Sequence, residues 1–346
     1  VATEGGRMLN ELADAGGVWL RFPANAKAPH RLLANALGLR NIIRARNIAL
    51  VHARSRAPAW SALAAARMAG VPFITTYHGI YNAGSAPKRF YNSVMAKGDA
   101  VIANSQWTAE HIGAEYRFKP KHLVVIPRGV DFARFDPGSV SHDRVDDLRK
   151  RWGVEPNETV VLLPGRLTRW KGQSILIDAL ARLKRAGQLG RIRAVLAGDA
   201  QGRSGYEAEL KLQITAGGLE ESVVIAGHVN DMAAAYLASD IVVSASTDPE
   251  AFGRVAAEAG AMERPVIATD HGGAREIILA DRSGFLVPPG NSATLAHALG
   301  ALVSAGPDRR AAMGKAARAH VAAHYTVDRM CADTLALYRS MLTART

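Results

Sequence analysis

The chain is poor in cysteine, in aromatic rings and in long apolar runs, and each shortage removes a class of protein. A single cysteine, Cys331, among 346 residues excludes an internal disulfide. It also fits a reducing compartment, so the expected location is cytoplasmic, extending to the inner face of the cell membrane. No apolar stretch approaches the roughly 20 residues that a membrane-spanning helix needs. Aromatic residues are 6% of the chain, little material for stacking nucleic-acid bases. The commonest nucleotide fingerprints are missing as well: no G-x-G-x-x-G follows a strand, and there is no P-loop.

Positive charge is abundant. The formal net charge is +12. Residues 1–150 carry 21 Lys and Arg against 11 Asp and Glu, a net of +10, while the other 196 carry 22 against 20, a net of +2. A basic half suits a polyanionic neighbour such as nucleic acid, an acidic membrane face or a phosphorylated substrate. It equally suits an arginine-rich proteome, because many of these residues stand singly. They form no contiguous stripe, so nucleic acid is not expected as a partner.

At this length, with 48% hydrophobic and 21% charged residues, two domains are expected. Short apolar runs alternate with helical periodicity. "IALVHAR" (48–54), "VPFITTYHG" (71–79), "AVIANS" (100–105) and "HLVVIPRGVD" (122–131) read as strands of a first half. Residues 132–147 lose the periodicity and read as a linker. "TVVLLPGRL" (159–167) restarts the pattern, followed by "IRAVLAGD", "SVVIAGHV", "DIVVSAST", "RPVIATDHGG" and "GFLVPPG", with a helix capped near Asn291 and Ser292. Parallel βαβ units in an α/β fold follow, and ligands of such sheets bind beyond the carboxyl ends of the strands. The opening "VATEGGRMLNELADAGG" reads as the end of a strand, a turn and a helix, so a β-α piece is expected before Val1.

Two clusters carry chemistry. In "DPEAFGRVAAEAGAME" (248–263), one account makes Asp248 an N-cap, Pro249 an N1 proline and Glu250 a first-turn acid, with Glu258 solvated. The other account gives the free N–H groups of Phe252, Gly253, Arg254 and Val255 to a phosphate, lets a ligand approach at Gly253, and gives the two carboxylates to sugar hydroxyls. In "PGRLTRWKGQ" (164–173), Arg166 and Lys171 stand between glycines past a strand end, where they can converge on a diphosphate or belong to a solvated loop.

Taken in order, G-R-x₄-K-G, E-A-F-G-x₄-E and "HGGAREII" (271–278), with "IPRGVDFARF" and "TTYHG", resemble glycosyltransferase family 4 over essentially the whole chain. That resemblance implies the GT-B fold, two Rossmann-like domains with parallel sheets facing across a cleft: 1–138 on the acceptor side, 139–325 for the donor, and a helix from 326 to 346 packing back on the first domain. It implies a retaining enzyme that takes a sugar from a UDP-, GDP- or ADP-sugar, with no permanently bound cofactor. Arg166 and Lys171 then bind the diphosphate, Glu250 the transferred sugar, the Phe252–Val255 backbone sugar and phosphate, and Glu258 the ribose. His78 lies near the sugar being transferred and joins Arg166, Lys171 and Glu250 as catalytic. No carboxylate stands out as a nucleophile for double displacement, so front-face attack is expected, with fixed cations stabilising the leaving diphosphate. The absence of a D-x-D pair is in line with a metal-free site. Arg128 stands where the family more usually has Asn.

Arg54, Arg56 and Tyr77 are the candidate acceptor residues. With the basic half they suggest an anionic or lipid-linked glycan, as in lipopolysaccharide or cell-envelope synthesis; the alternative is that the arginines buttress the next helix. Lys88, Arg89 and Lys97, among Phe90, Tyr91 and Met95, read either as a membrane-touching face or as an ordinary amphipathic helix. The competing functions are another GT-B-like enzyme, such as an epimerase or a phosphorylase, and a basic nucleic-acid-binding module.

Overall fold

The structure, a computed structural model, describes every residue except 7, 27, 82–83, 117–119, 203 and 344–346. Strand and helix alternate as the sequence predicts, and the chain divides into two compact units, Val1–Ile126 with Ala332–Thr346, and Pro127–Cys331. The division falls earlier than the linker read from the sequence.

The first unit runs α1 (Leu9–Asp14), α2 (Pro29–Ala45), β1 (Val51–Ala53), α3 (Arg56–Ala69), β2 (Phe73–Tyr77), α4 (Ala86–Ser93), β3 (Ala100–Ala103), α5 (Gln106–Glu115) and β4 (His122–Val125). Its four strands are parallel in the order β1-β2-β3-β4. All residues of β2 and β3 are buried, as expected of a parallel sheet covered on both faces. The alanine-rich face of α3 lets it pack closely, with Ala59, Ala62, Ala65 and Ala66 inside. Among the described residues β1 pairs only with β2. Val51, His52 and Ala53 line a cavity of about 890 Å³, together with Leu20, Phe22 and Leu39.

The second unit runs α6 (His142–Arg151), β5 (Thr159–Pro164), α7 (Gln173–Arg185), β6 (Ile192–Ala197), α8 (Ser204–Ala216), β7 (Val223–Gly227), α9 (Met232–Leu237), β8 (Ile241–Ser244), α10 (Arg254–Ala261), β9 (Val266–Thr269), α11 (Ala274–Ile277), β10 (Gly284–Val287), α12 (Ser292–Ser304) and α13 (Gly306–His324). The expected linker therefore contains a helix, α6. Its only buried residue is Leu148, so its apolar period is too thin to read. Asn291 caps α12 as the sequence predicts, accepting from the N–H groups of Ala293 and Thr294. The six strands are parallel in the order β10-β9-β8-β5-β6-β7. A last helix, α14 (Val327–Thr343), starts in the second unit, and its residues from Ala332 onward belong to the first. Among the described residues no helix is long and apolar enough to cross a membrane.

Within the first unit, α14 is tied to the sheet through His52, whose Nδ1 lies 2.5 Å from the Tyr338 hydroxyl and whose Nε2 lies 2.7 Å from Thr76 Oγ1. Burial, and secondarily the charge of Arg54, lower its pKa from 6.5 to about 4. The native state thus refuses a proton that the unfolded chain accepts, so stability is full above pH 6.5 and falls as the pH drops toward 4. Between pH 7 and 5 the first unit should lose about 2 kcal/mol, readable by urea unfolding at the two pH values. His52→Gln should flatten that dependence; an equal slope in the variant would assign it to other groups.

Candidate functional site

In the second sheet the chain adds β6 and β7 on one side of β5 and then crosses to place β8 on the other. This reversal falls at the carboxyl ends of β5 and β8, the usual ligand position in open parallel sheets. The residues read from the sequence as donor-binding follow these two strands.

After β5 the chain turns sharply, and Lys171 closes a single turn of 3₁₀ helix, Arg169–Lys171. Gln173, fully buried, holds the turn by donating to the Arg166 carbonyl at 2.9 Å. After β8, the Thr247 N–H donates to the Trp170 carbonyl at 2.7 Å, so the two loops are bonded together. The result is an ion pair of 2.7 Å between Lys171 Nζ and Glu250 Oε1, each side chain only 14% exposed. The same oxygen accepts from Ser246 Oγ at 2.6 Å. Glu250 Oε2 has no hydrogen bond among the described residues. Arg166 is exposed, and its guanidinium has no ion pair or hydrogen bond among the described residues. A cation without a carboxylate among the described residues, on the same loop as a lysine that has one, is suited to an anion.

Glu250 does not sit on a helix, which overturns the capping account of Asp248 and Pro249. The helix α10 begins only at Arg254, after Gly253 at φ 95°. The glycine is required by packing: a Cβ there would lie 2.8 Å from the Cα of Ala274. Gly272, at φ 65°, lies against the Glu250 backbone, and the Gly273 N–H donates to the Glu250 carbonyl at 2.8 Å. The motif "HGGAREII" thus fixes the loop that carries Glu250. Phe252 is buried, and its ring meets Tyr325 edge-on. The N–H groups of Phe252, Gly253, Arg254 and Val255 make no hydrogen bond among the described residues.

On α10, Glu258 is 13% exposed and accepts from Arg254 Nη2 at 2.9 Å through Oε1, and from the Tyr236 hydroxyl at 3.0 Å through Oε2. Ser246, Tyr236 and His271, which donates from Nε2 to the Ser246 carbonyl, were not singled out from the sequence. The one available signal was position, since Ser246 lies two residues past β8 and His271 two past β9.

In the first unit, Arg54 follows β1 and His78 follows β2, and Arg54 Nε lies 3.3 Å from His78 Nε2. Two acceptor candidates are corrected. Tyr77 is fully buried, its hydroxyl 3.2 Å from that of Tyr116, because both faces of the sheet are covered at β2. Burial, followed by the Tyr116 hydrogen bond, raises its pKa, so it stays protonated. Arg56 is tied to Asn92 Oδ1 at 2.8 Å and lies 4.4 Å over the Tyr81 ring, a buttress for α3. The amphipathic-helix reading of this segment accounts for its contacts, although Phe90 stays 65% exposed. Met95 is in the core, Arg89 pairs with Glu115 at 2.8 Å, and Phe90 stacks on Trp60 beneath Lys97. Among the described residues no three His, Cys, Asp or Glu side chains come together as metal ligands do.

Residues 144–320 match the family described as glycosyl transferases group 1, and residues 1–134 match Glycosyltransferase Family 4. The chain belongs to the group 1 glycosyl transferase family. Its GT-B fold is shared with a glycosyltransferase from Rickettsia africae, at a TM-score of 0.88 and 35% identity over 98% of this chain and 88% of that one. The Anabaena protein HepE in complex with UDP gives a TM-score of 0.84 and 28% identity, over 98% and 90%; HepE is also known with UDP-glucose bound. Among curated relatives of this group 1 chain, the D-inositol 3-phosphate glycosyltransferase of Segniliparus rotundus is 32% identical over 289 residues, 79% of this chain and 62% of the relative. The chain spans about half to three fifths of the length of the first curated relatives it matches.

Proposed function

We propose that the chain is a retaining glycosyltransferase that moves a sugar from a nucleoside diphosphate to an acceptor hydroxyl. The observation that carries this reading is the Lys171–Glu250 pair where the strand order of the second sheet reverses, on the same β5 loop as Arg166, whose guanidinium is unpaired among the described residues. Arg166, Lys171 and the N–H groups of Phe252 to Val255 receive the diphosphate. Glu250 offers Oε2 to a hydroxyl of the transferred sugar, and Glu258 holds the ribose. His78, next to Arg54, is the candidate contributed by the first unit. HepE was solved with UDP and UDP-glucose, which supports uridine diphosphate sugars as the first donors to try.

Glu250 is bound through Oε1 to an ammonium and a hydroxyl, which favours a binding role over a nucleophilic one. Retention then comes from front-face attack. The acceptor oxygen bonds to the anomeric carbon as the bond to the diphosphate oxygen breaks, and the departing diphosphate takes the acceptor's proton. Arg166 and Lys171 stabilise the charge that grows on the leaving group, the work a metal ion does in other transferases.

For the acceptor, Arg54 remains exposed and supports an anionic group. Relatives named for D-inositol 3-phosphate support a phosphate on the acceptor, and their names give no support to lipopolysaccharide or a lipid-linked glycan.

Thermal unfolding with UDP, GDP, ADP and their sugar conjugates tests the donor site. A ligand at 100 times its Kd adds about 2.7 kcal/mol to the native state. One nucleotide class should raise the melting temperature, and a Lys171→Ala, Glu258→Ala double variant should lose that rise. A cooperative melt that no nucleotide moves would sink the reading.

A further inference from the structure

We propose that Tyr236 is a positioning residue for the donor ribose, acting through Glu258; this rests on the reading of Glu258 as the ribose-binding carboxylate. Tyr236 lies on α9 and is fully buried, with its ring tilted against Phe135 at 6.1 Å between centroids. The helix that carries it is fixed at its start. The Asp231 carboxylate accepts the Ala234 N–H at 3.1 Å, and Arg144 grips the same carboxylate through two bonds of 2.8 and 2.9 Å. Among the described residues the phenol of Tyr236 makes one hydrogen bond, to Glu258 Oε2. Burial, then the charge of Glu258, keeps that phenol protonated, so it can only be the donor.

The two oxygens of Glu258 are therefore held very differently. Oε2 is anchored from inside by a side chain that cannot move without opening the core. Oε1 is held by Arg254, one helical turn back, whose side chain is 67% exposed and free to swing into water. A ribose diol can displace the outer clasp while the inner one stays. Without Tyr236, the hydrogen-bond partner left to the carboxylate among the described residues would be Arg254, which draws it along the helix surface and competes with the sugar. The inner bond thus pre-sets the carboxylate, and its contribution falls on the ribose hydroxyls rather than on the diphosphate.

Calorimetric binding of UDP, GDP and ADP, each beside its 2′,3′-dideoxy form, separates this role from a structural one. The wild type should prefer the ribose form of its nucleotide by about tenfold or more, as expected for hydrogen bonds to a charged group. Tyr236→Phe, which keeps the ring and its packing, should narrow that preference to within about threefold. In a Glu258→Gln background the same change should leave the remaining preference untouched, because its route is gone. Equal weakening of both forms in Tyr236→Phe, with the ratio kept, would overturn the inference while leaving the donor site intact. A further narrowing in the Glu258→Gln background would overturn it as well. A wild type that binds none of the six nucleotides would overturn the donor-site reading and this inference together.

Discussion

Lys171→Ala is expected to lower kcat by about 10²–10³-fold, the range measured when one group stabilising transition-state charge is removed. The ammonium of Lys171 bonds Glu250 at 2.7 Å, with the Trp170 ring 4.4 Å from the nitrogen. In the proposed reaction it faces a diphosphate whose charge rises as the glycosidic bond breaks, so its contribution grows along the reaction path and appears in kcat. Lys171→Arg should rescue little, because a planar fork does not replace a compact charge inside a site that is mostly enclosed. Stability should change less, since Glu250 keeps its bond to Ser246 and some exposure to water. Steady-state kinetics with the sugar nucleotide found by the melts checks this, and a kcat within about threefold of wild type would remove Lys171 from the charge-stabilising role.

Gly253→Ala should be strongly damaging to the second unit, costing about 2–4 kcal/mol. Two terms add. An alanine is strained at φ 95°, and its Cβ would press on the Cα and Cβ of Ala274 at 2.8 and 2.9 Å. Neither contact can yield by rotating a side chain, because both lie at the start of α11. The melting temperature should drop by roughly 5–15 °C. Nucleotide binding should fall too, as α10 and the loop carrying Glu250 move apart from the helix behind them. A variant that melts like wild type would show that this loop relaxes at little cost.

The strands were legible because parallel strands covered on both faces read as short apolar runs, and "VVLLP" in β5 or "VIAT" in β9 offers no other reading. The start of α10 was ambiguous because Asp248, Pro249 and Glu250 satisfy every local rule for a helix start. A tertiary contact, the Gly272–Gly273 turn lying on the Glu250 backbone, decides the matter instead. The purpose of Gly253 was likewise hidden, since close approach by a ligand and close approach by a neighbouring helix demand the same residue. Arg166, Lys171, Glu250 and Glu258 were reached through an ordered set of motifs. Tyr236 was not, because it lies 22 residues from Glu258 in a separate helix, and nothing local distinguishes it from an ordinary buried tyrosine. Tyr77 and Arg56 were misassigned for the opposite reason. They stand at or just past a strand end in sequence, yet a sheet covered on both faces buries Tyr77, and a bond to Asn92, 36 positions away, ties down Arg56.

The pairing of β5 with β8, through Val161 opposite Ile241 and Leu162 opposite Val242, has a bearing on how the protein matures. It joins segments about 80 residues apart, so the closure entropy for this contact is met late, after the local β5-α7-β6 and β8-α10-β9 units can form. Lys171 and Glu250, 79 positions apart, become neighbours only at that step. During synthesis the loop with Arg166 and Lys171 leaves the ribosome before the loop with Glu250 exists. On the proposed reading, nucleotide binding is a late reporter of folding in this chain, acquired when the sheet joins at its centre.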